Sequence, residues 1–112
     1  MSDDLVIKIF EQNFASTSES EGLLQLLLSY DGNERERVQL AVLKLSDGDH
    51  EKLKHNIQAA IVDYRDVLAW AEYPTQMESG ATAFNTAPED YQAILEQDRK
   101  QYRSWLAEQS NP

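Results

Sequence analysis

Apolar residues recur at helical spacing through most of this chain, and the longest stretch without glycine or proline, residues 49–73, carries the clearest period. On a helical wheel, Leu53, Ile57, Ala60, Ile61, Tyr64, Val67, Leu68 and Ala71 fall on one stripe, which predicts a face turned to a core. The other side is mixed: Ala59, Val62, Ala69, Trp70 and Tyr73 stand among His55, Asp63 and Asp66. A helix that is apolar on two sides predicts shelter on both, from neighbouring elements or from a partner. At 1.5 Å per residue such a helix runs about 36 Å, so the expectation is one unbroken central rod over about residues 49–72. Asp47 or Asp49 can accept from the free amides of its first turn, and Pro74 ends it.

The other segments follow the same period. Residues 3–14 contain enough β-branched side chains for a short strand, but Leu5, Ile9, Phe10 and Phe14 fit helical spacing and Asp3 and Asp4 precede them as caps, so a helix is expected. After a polar break, Ser18 and Glu21 match a capping box ahead of Leu23, Leu24, Leu26, Leu27 and Leu28, and Asp31-Gly32 offers a left-handed stop. Asn33 with Glu36 then reads as the cap of a helix placing Val38, Ala41, Val42 and Leu45 on one face, widened by Leu40 and Leu43. Residues 46–49 turn the chain back towards the long helix. Residues 74–86 have no period and are expected as a long loop, with Met77 and Phe84 pinning it to the core and a functional lid as the alternative. Thr86, Pro88 and Glu89 announce a last helix, whose inner stripe is Tyr91, Ile94, Leu95, Asp98, Tyr102, Trp105 and Leu106; residues 110–112 are expected to fray. All four glycines read as turn or helix-end residues.

The fold class is therefore all-α, a single domain of four to five helices packed around the long one. A length of 112 residues supports one modest core, and 41% apolar residues make a folded chain the expectation. No cysteine is present, which removes disulfides, thiolate metal sites and thiol nucleophiles together. The first ten residues lack the basic start of a signal peptide and their apolar run is too short to span a bilayer, so a cytoplasmic protein is expected.

Net charge is −10, from 20 acidic and 10 basic residues, and residues 1–36 alone hold 8 acids and 2 bases. That balance disfavours the backbone of nucleic acid and anionic membranes as partners, since both need a concentrated basic surface. It suits a basic protein partner, although charge of this size also serves solubility alone.

Candidate chemistry is sparse. His50 and His55 stand roughly 140° apart on a helix and cannot share a metal. No phosphate loop, nucleophile elbow or dinucleotide fingerprint occurs, and neither metal nor cofactor is expected. The densest group is Asp63, Asp66, Trp70 and Tyr73, spaced i, i+3, i+7 and i+10 along one side of the long helix. Three readings compete for it. The aromatics can pack under a neighbouring helix while the aspartates meet Arg99 or Arg103. The four can form a protein-binding face, including one for a second copy of this chain, because aromatics ringed by charge dominate interface energetics. Or a buried Asp63/Asp66 pair can serve acid–base or cation chemistry.

The run Asp63-Tyr64-Arg65-Asp66-Val67-Leu68, with Ala71-Glu72-Tyr73-Pro74 after it, resembles a group of small bacterial proteins with a domain of unknown function. The resemblance extends from about Gly22 to Pro74 and implies no activity, cofactor or partner. The function expected from the residues is a non-enzymatic, acidic, helical interaction module that associates with itself. The alternatives are a small enzyme or cation-binding protein using Asp63 and Asp66, and an acidic mimic of nucleic acid.

Overall fold

The computed structural model describes residues 4–14 and 17–110, with the backbone alone at Asp4 and Ser110. Among these residues there are six α-helices and no strand: α1 Asp4–Asn13, α2 Ser18–Leu28, α3 Arg35–Ser46, α4 His50–Glu72, α5 Pro74–Ser79 and α6 Pro88–Ser110. The protein is all-α, as the apolar period implies. The expected cap at Asp3 and the tail at residues 111–112 lie outside the described residues. The chain divides into two compact units, Met1–Leu68 and Ala69–Pro112, and α4 runs across the division.

In the first unit α1 packs on α3, and α3 is enclosed on all sides, with Val38, Gln39, Leu40, Ala41, Val42 and Leu43 buried in succession. Val6, Ile9, Phe10 and Phe14 of the α1 region, Leu23 and Leu27 of α2, and Leu53, Ile57 and Ala60 of α4 supply the rest of the buried apolar set. Polar side chains close the helix ends inside this core. Gln39 Nε2 donates to the carbonyls of Leu27 and Tyr30 at 3.1 and 3.2 Å, and Arg35 Nη2 to that of Leu28 at 2.9 Å, so α3 satisfies the exposed end of α2. Asn56 Nδ2 donates to the buried Ser46 Oγ at 3.1 Å, tying α4 to α3.

Several local signals are used one step away from where the sequence points. The capping box of α2 is Thr17 with Ser20, each side chain accepting from the other's backbone amide, rather than Ser18 with Glu21. The α2 helix stops on a right-handed Ser29, and Gly32 is not in the left-handed region, so Asp31-Gly32 is not its stop. Glu34, left-handed at φ 57°, precedes α3 and gives its carboxylate to Arg37 at 2.7 Å instead of capping, so the expected Asn33–Glu36 cap is absent. The α3–α4 turn does form, through left-handed Asp47 and Gly48, after which Asp49 Oδ1 accepts from the amides of Glu51 and Lys52 at 2.9 and 3.0 Å.

In the second unit α5 packs on α6. Here residues 74–79, expected as the start of a loop, are helical. The cause is twofold. Pro74 takes the first helical position, where a missing amide costs nothing, and the buried Asp98 carboxylate of α6 accepts from the Thr75 and Gln76 amides at 2.9 and 3.0 Å. Gln101 of α6 donates to the carbonyls of Ala71 and Glu72 at 3.3 and 3.4 Å, and Gln76 to the Ala81 carbonyl and the Tyr91 hydroxyl, both at 3.3 Å. The corner between the end of α4 and α5 is thus fastened from α6 by hydrogen bonds to backbone. The expected Thr86 cap is not used: its hydroxyl donates to Asn85 Oδ1 at 2.6 Å and, among the described residues, accepts from no amide of the first turn; α6 still begins at Pro88, the Tyr91 amide reaching the Ala87 carbonyl at 2.9 Å.

Two glycines should respond oppositely to alanine. Gly22 lies within α2, not at an end as its type suggests, with nothing near its missing Cβ, and Gly22→Ala should stabilise by about 0.5–1 kcal/mol. Gly48 sits at φ 77° with a Cβ position 3.0 Å from the Asn13 carbonyl oxygen, and Gly48→Ala should cost about 1–2 kcal/mol in the same denaturant titration. Removing the carboxylate that starts α5, as Asp98→Ala, strands two amides and should cost about 3 kcal/mol, against under about 0.5 kcal/mol for the exposed Asp90→Ala control.

Candidate functional site

The long helix is broken. At Asp63 the backbone leaves the helical region, with φ −156° and ψ 95°, and helix resumes at Tyr64. The expectation of one unbroken rod is corrected here, and its cause is local. Ile61 and Val62 are β-branched and hold a helix weakly, and Asp63 follows them with a short carboxylate. Asp63 Oδ1 accepts from the Arg65 amide at 3.1 Å and from the Arg65 guanidinium Nε at 3.1 Å. That is the geometry of a helix cap, with Asp66 at the third position of the new helix. A side chain inserted into the backbone ladder is a recognised cause of a sharp kink.

The break leaves apolar groups in water. Ile61, placed by the wheel on the core stripe, is 60% exposed, and Val62 is 85% exposed. Both line an open groove of about 770 Å³ between residues 57–65 and the end of α2 with residues 29–33, all within the first unit. Leu26, also exposed, lines the groove too, with Tyr30, Asp31, Asp63 and Arg65. Burial raises the Tyr30 phenol above its ordinary value, reinforced by Tyr64 and Asp31 nearby, and its hydroxyl donates to the Asn33 carbonyl at 3.1 Å. The carboxyl of Asp63 is held below the ordinary carboxylate range by its hydrogen bonds to the Arg65 side chain and amide.

These surroundings decide what the four candidate residues can do chemically. Asp63 and Asp66 belong to the first unit, Trp70 and Tyr73 to the second. The Asp63 carboxylate is committed to Arg65, not to Arg99 or Arg103, and Asp66 is exposed. The desolvation on which acid–base work by this pair depends is missing. Among the described residues no group of three or more His, Asp or Glu side chains is placed to hold a metal ion. Trp70 is 43% exposed, so the Trp70 side of the helix is not sheltered as expected. Tyr73 is half-buried at a shallow hollow of about 270 Å³ with Glu72, Arg99, Tyr102 and Arg103.

A second aromatic, Phe84, is exposed as well. Phe84 does not pin its loop to a core; it is fully exposed. The loop is instead held by Asn85, whose Oδ1 accepts from the Thr82 amide at 2.8 Å and whose Nδ2 donates to the Gly80 carbonyl at 3.1 Å. Thr82 Oγ1 in turn accepts from the Phe84 and Asn85 amides, each at 3.2 Å. The Thr-x-x-Asn spacing within a Gly- and Ala-rich stretch is the signal that could have shown a fastened turn. For the groove, the signal was Asp-x-x-Asp directly after a β-branched pair.

Asp49 and Asp63 supply a pH test. The carboxyl of Asp49 is also lowered, first by the hydrogen bond from the Lys52 amide. A folded-state value below the unfolded one gives stability that is present above the ordinary carboxylate value and lost as pH falls through the folded one. The Asp49→Asn/Asp63→Asn double variant keeps both caps without a titrating group, so thermal unfolding should show a shallower loss of stability between about pH 5 and pH 3 than in the parent chain. An equal loss in both would show that neither cap is linked to protons.

In comparisons with known proteins, no protein-family model, no curated protein and no solved structure matches this chain.

Proposed function

We propose that the protein is a non-enzymatic interaction module that associates with a second copy of itself through the groove beside the Asp63 break. The exposure of Ile61 and Val62 carries this reading. Two adjacent β-branched residues stand in water on a groove that the exposed Leu26 also lines, and large apolar groups exposed together in this way support an association site. The groove is also lined by charge, Asp31 together with the paired Asp63 and Arg65. A patch rimmed by charge gives orientation as well as affinity, which suits a module that recognises a particular surface.

The test is solution mass as a function of concentration. The parent chain should rise above its 12.8 kDa monomer mass, and Val62→Lys should return it to that mass. Because Val62 is 85% exposed, the substitution should leave unfolding stability within about 0.5 kcal/mol, so loss of mass reports lost association rather than lost fold. A parent chain that stays at the monomer mass throughout the range would remove the proposal.

A further inference from the structure

We infer that the floor of the groove opens into a binding site for a small aromatic molecule carrying one N–H or O–H donor, with the Tyr30 ring as its cover. The inference concerns the space beneath the groove and goes beyond self-association, on which it does not depend. It starts from an acceptor without a donor. Gln39 of α3 is fully buried, and its Nε2 donates to the carbonyls of Leu27 and Tyr30. Two carbonyls at that end fix which way the amide lies, so the atom left over is Oε1. It accepts from no donor among the described residues. A buried carbonyl oxygen in that state is costly and rare, and it calls for a reason.

The space around Gln39 supplies one. Gln39 lines a crevice with Tyr30 and five aliphatic side chains, Leu27, Ile57 and Ala60 among them, and the crevice is too narrow for a water molecule. Tyr30, Ile57 and Ala60 also line the open groove, so they form the partition between the two spaces. Ile57 and Ala60 are buried and fixed in α4. Tyr30 is only half-buried: its ring lies over Gly32, where a Cβ would stand 2.8 Å from the phenol oxygen, and its hydroxyl donates to the Asn33 carbonyl three residues on. The ring is thus held by its own loop through an exposed hydrogen bond, while the Tyr30 carbonyl stays anchored on Gln39. Turning the ring outwards gives up that one bond and joins the crevice to the groove. A flat ligand of similar size then takes its place, burying its faces against the aliphatic walls and giving its donor to Gln39 Oε1. Indole has that size and that donor.

The probe is indole, titrated into the isotope-labelled Val62→Lys chain while the Gln39 side-chain amide and Tyr30 resonances are followed. Val62 lines the groove but not the crevice, and its replacement keeps a second copy from covering the entrance. Saturable shifts should appear at both residues, with a Kd below about 1 mM. N-methylindole, which lacks the donor, should bind about tenfold more weakly, because Oε1 then stays without a partner. Adding Tyr30→Ala should tighten indole binding by about tenfold, since no ring has to turn out first. Equal affinity for the two ligands, saturable shifts that leave Gln39 out, or no saturable shift would overturn the inference, and binding unchanged by Tyr30→Ala would overturn the ring's part as cover. A parent chain that stays at the monomer mass bears on self-association alone.

Discussion

Every helix begins with amide groups that have no partner along the chain, and in this protein aspartate carboxylates meet that requirement at three decisive places. Asp49 starts α4, Asp63 restarts it, and Asp98 starts α5 from another helix. At Asp98 the amides are partly removed from water, where leaving them unsatisfied is costly, whereas Asp49 and Asp63 act as exposed caps of the ordinary kind. The acid excess of the chain therefore has a structural use besides solubility.

The same logic holds at the other helix ends. Gln39 and Arg35 close α2, and Gln101 closes α4, each donating to carbonyls at a helix end. A side chain of this kind is more than a local cap, because it fixes one helix end against the flank of another. Asp98 illustrates the cost of such a tie. A buried carboxylate is tolerated only where hydrogen bonds replace its water, and its two amide donors do that while the dipole of α5 favours the negative charge.

The helices were legible in the sequence because apolar residues recur at helical spacing, a repeat read from residue order alone, and α1, α2 and α4 bury faces of that period. Leu53, Ile57, Ala60, Val67, Leu68 and Ala71 are buried as the wheel places them. What was not legible depended on which of two acceptable local states wins. Thr17 and Ser18 are both hydroxyls in reach of a helix start, and geometry chose the first. Residues 74–79 have no apolar repeat, and their helix depends on Asp98, more than twenty residues away. A carboxylate on the inner stripe of α6 was visible, but not the amides it would meet. The candidate face at Asp63, Asp66, Trp70 and Tyr73 was drawn on one regular helix, and it lost that premise when Asp63 proved to be a cap. Residue type was read correctly there and backbone state was not, since an aspartate inside a helical period and an aspartate interrupting it look alike.

The break and the exposed patch have one cause. Ile61 follows Ile57 by four residues, so in a regular helix the two would share the buried face, yet Ile57 is 1% exposed and Ile61 60%. The helix is regular up to Val62 and resumes at Tyr64, with Val67 and Leu68 buried again. Asp63 thus permits the helix to bury apolar residues on both sides of the interruption while leaving Ile61 and Val62 outside. A serine or lysine at either position would solvate the interruption with no loss to the core. Keeping two large apolar groups where polar ones would fit carries a cost in solubility that the proposed association would offset.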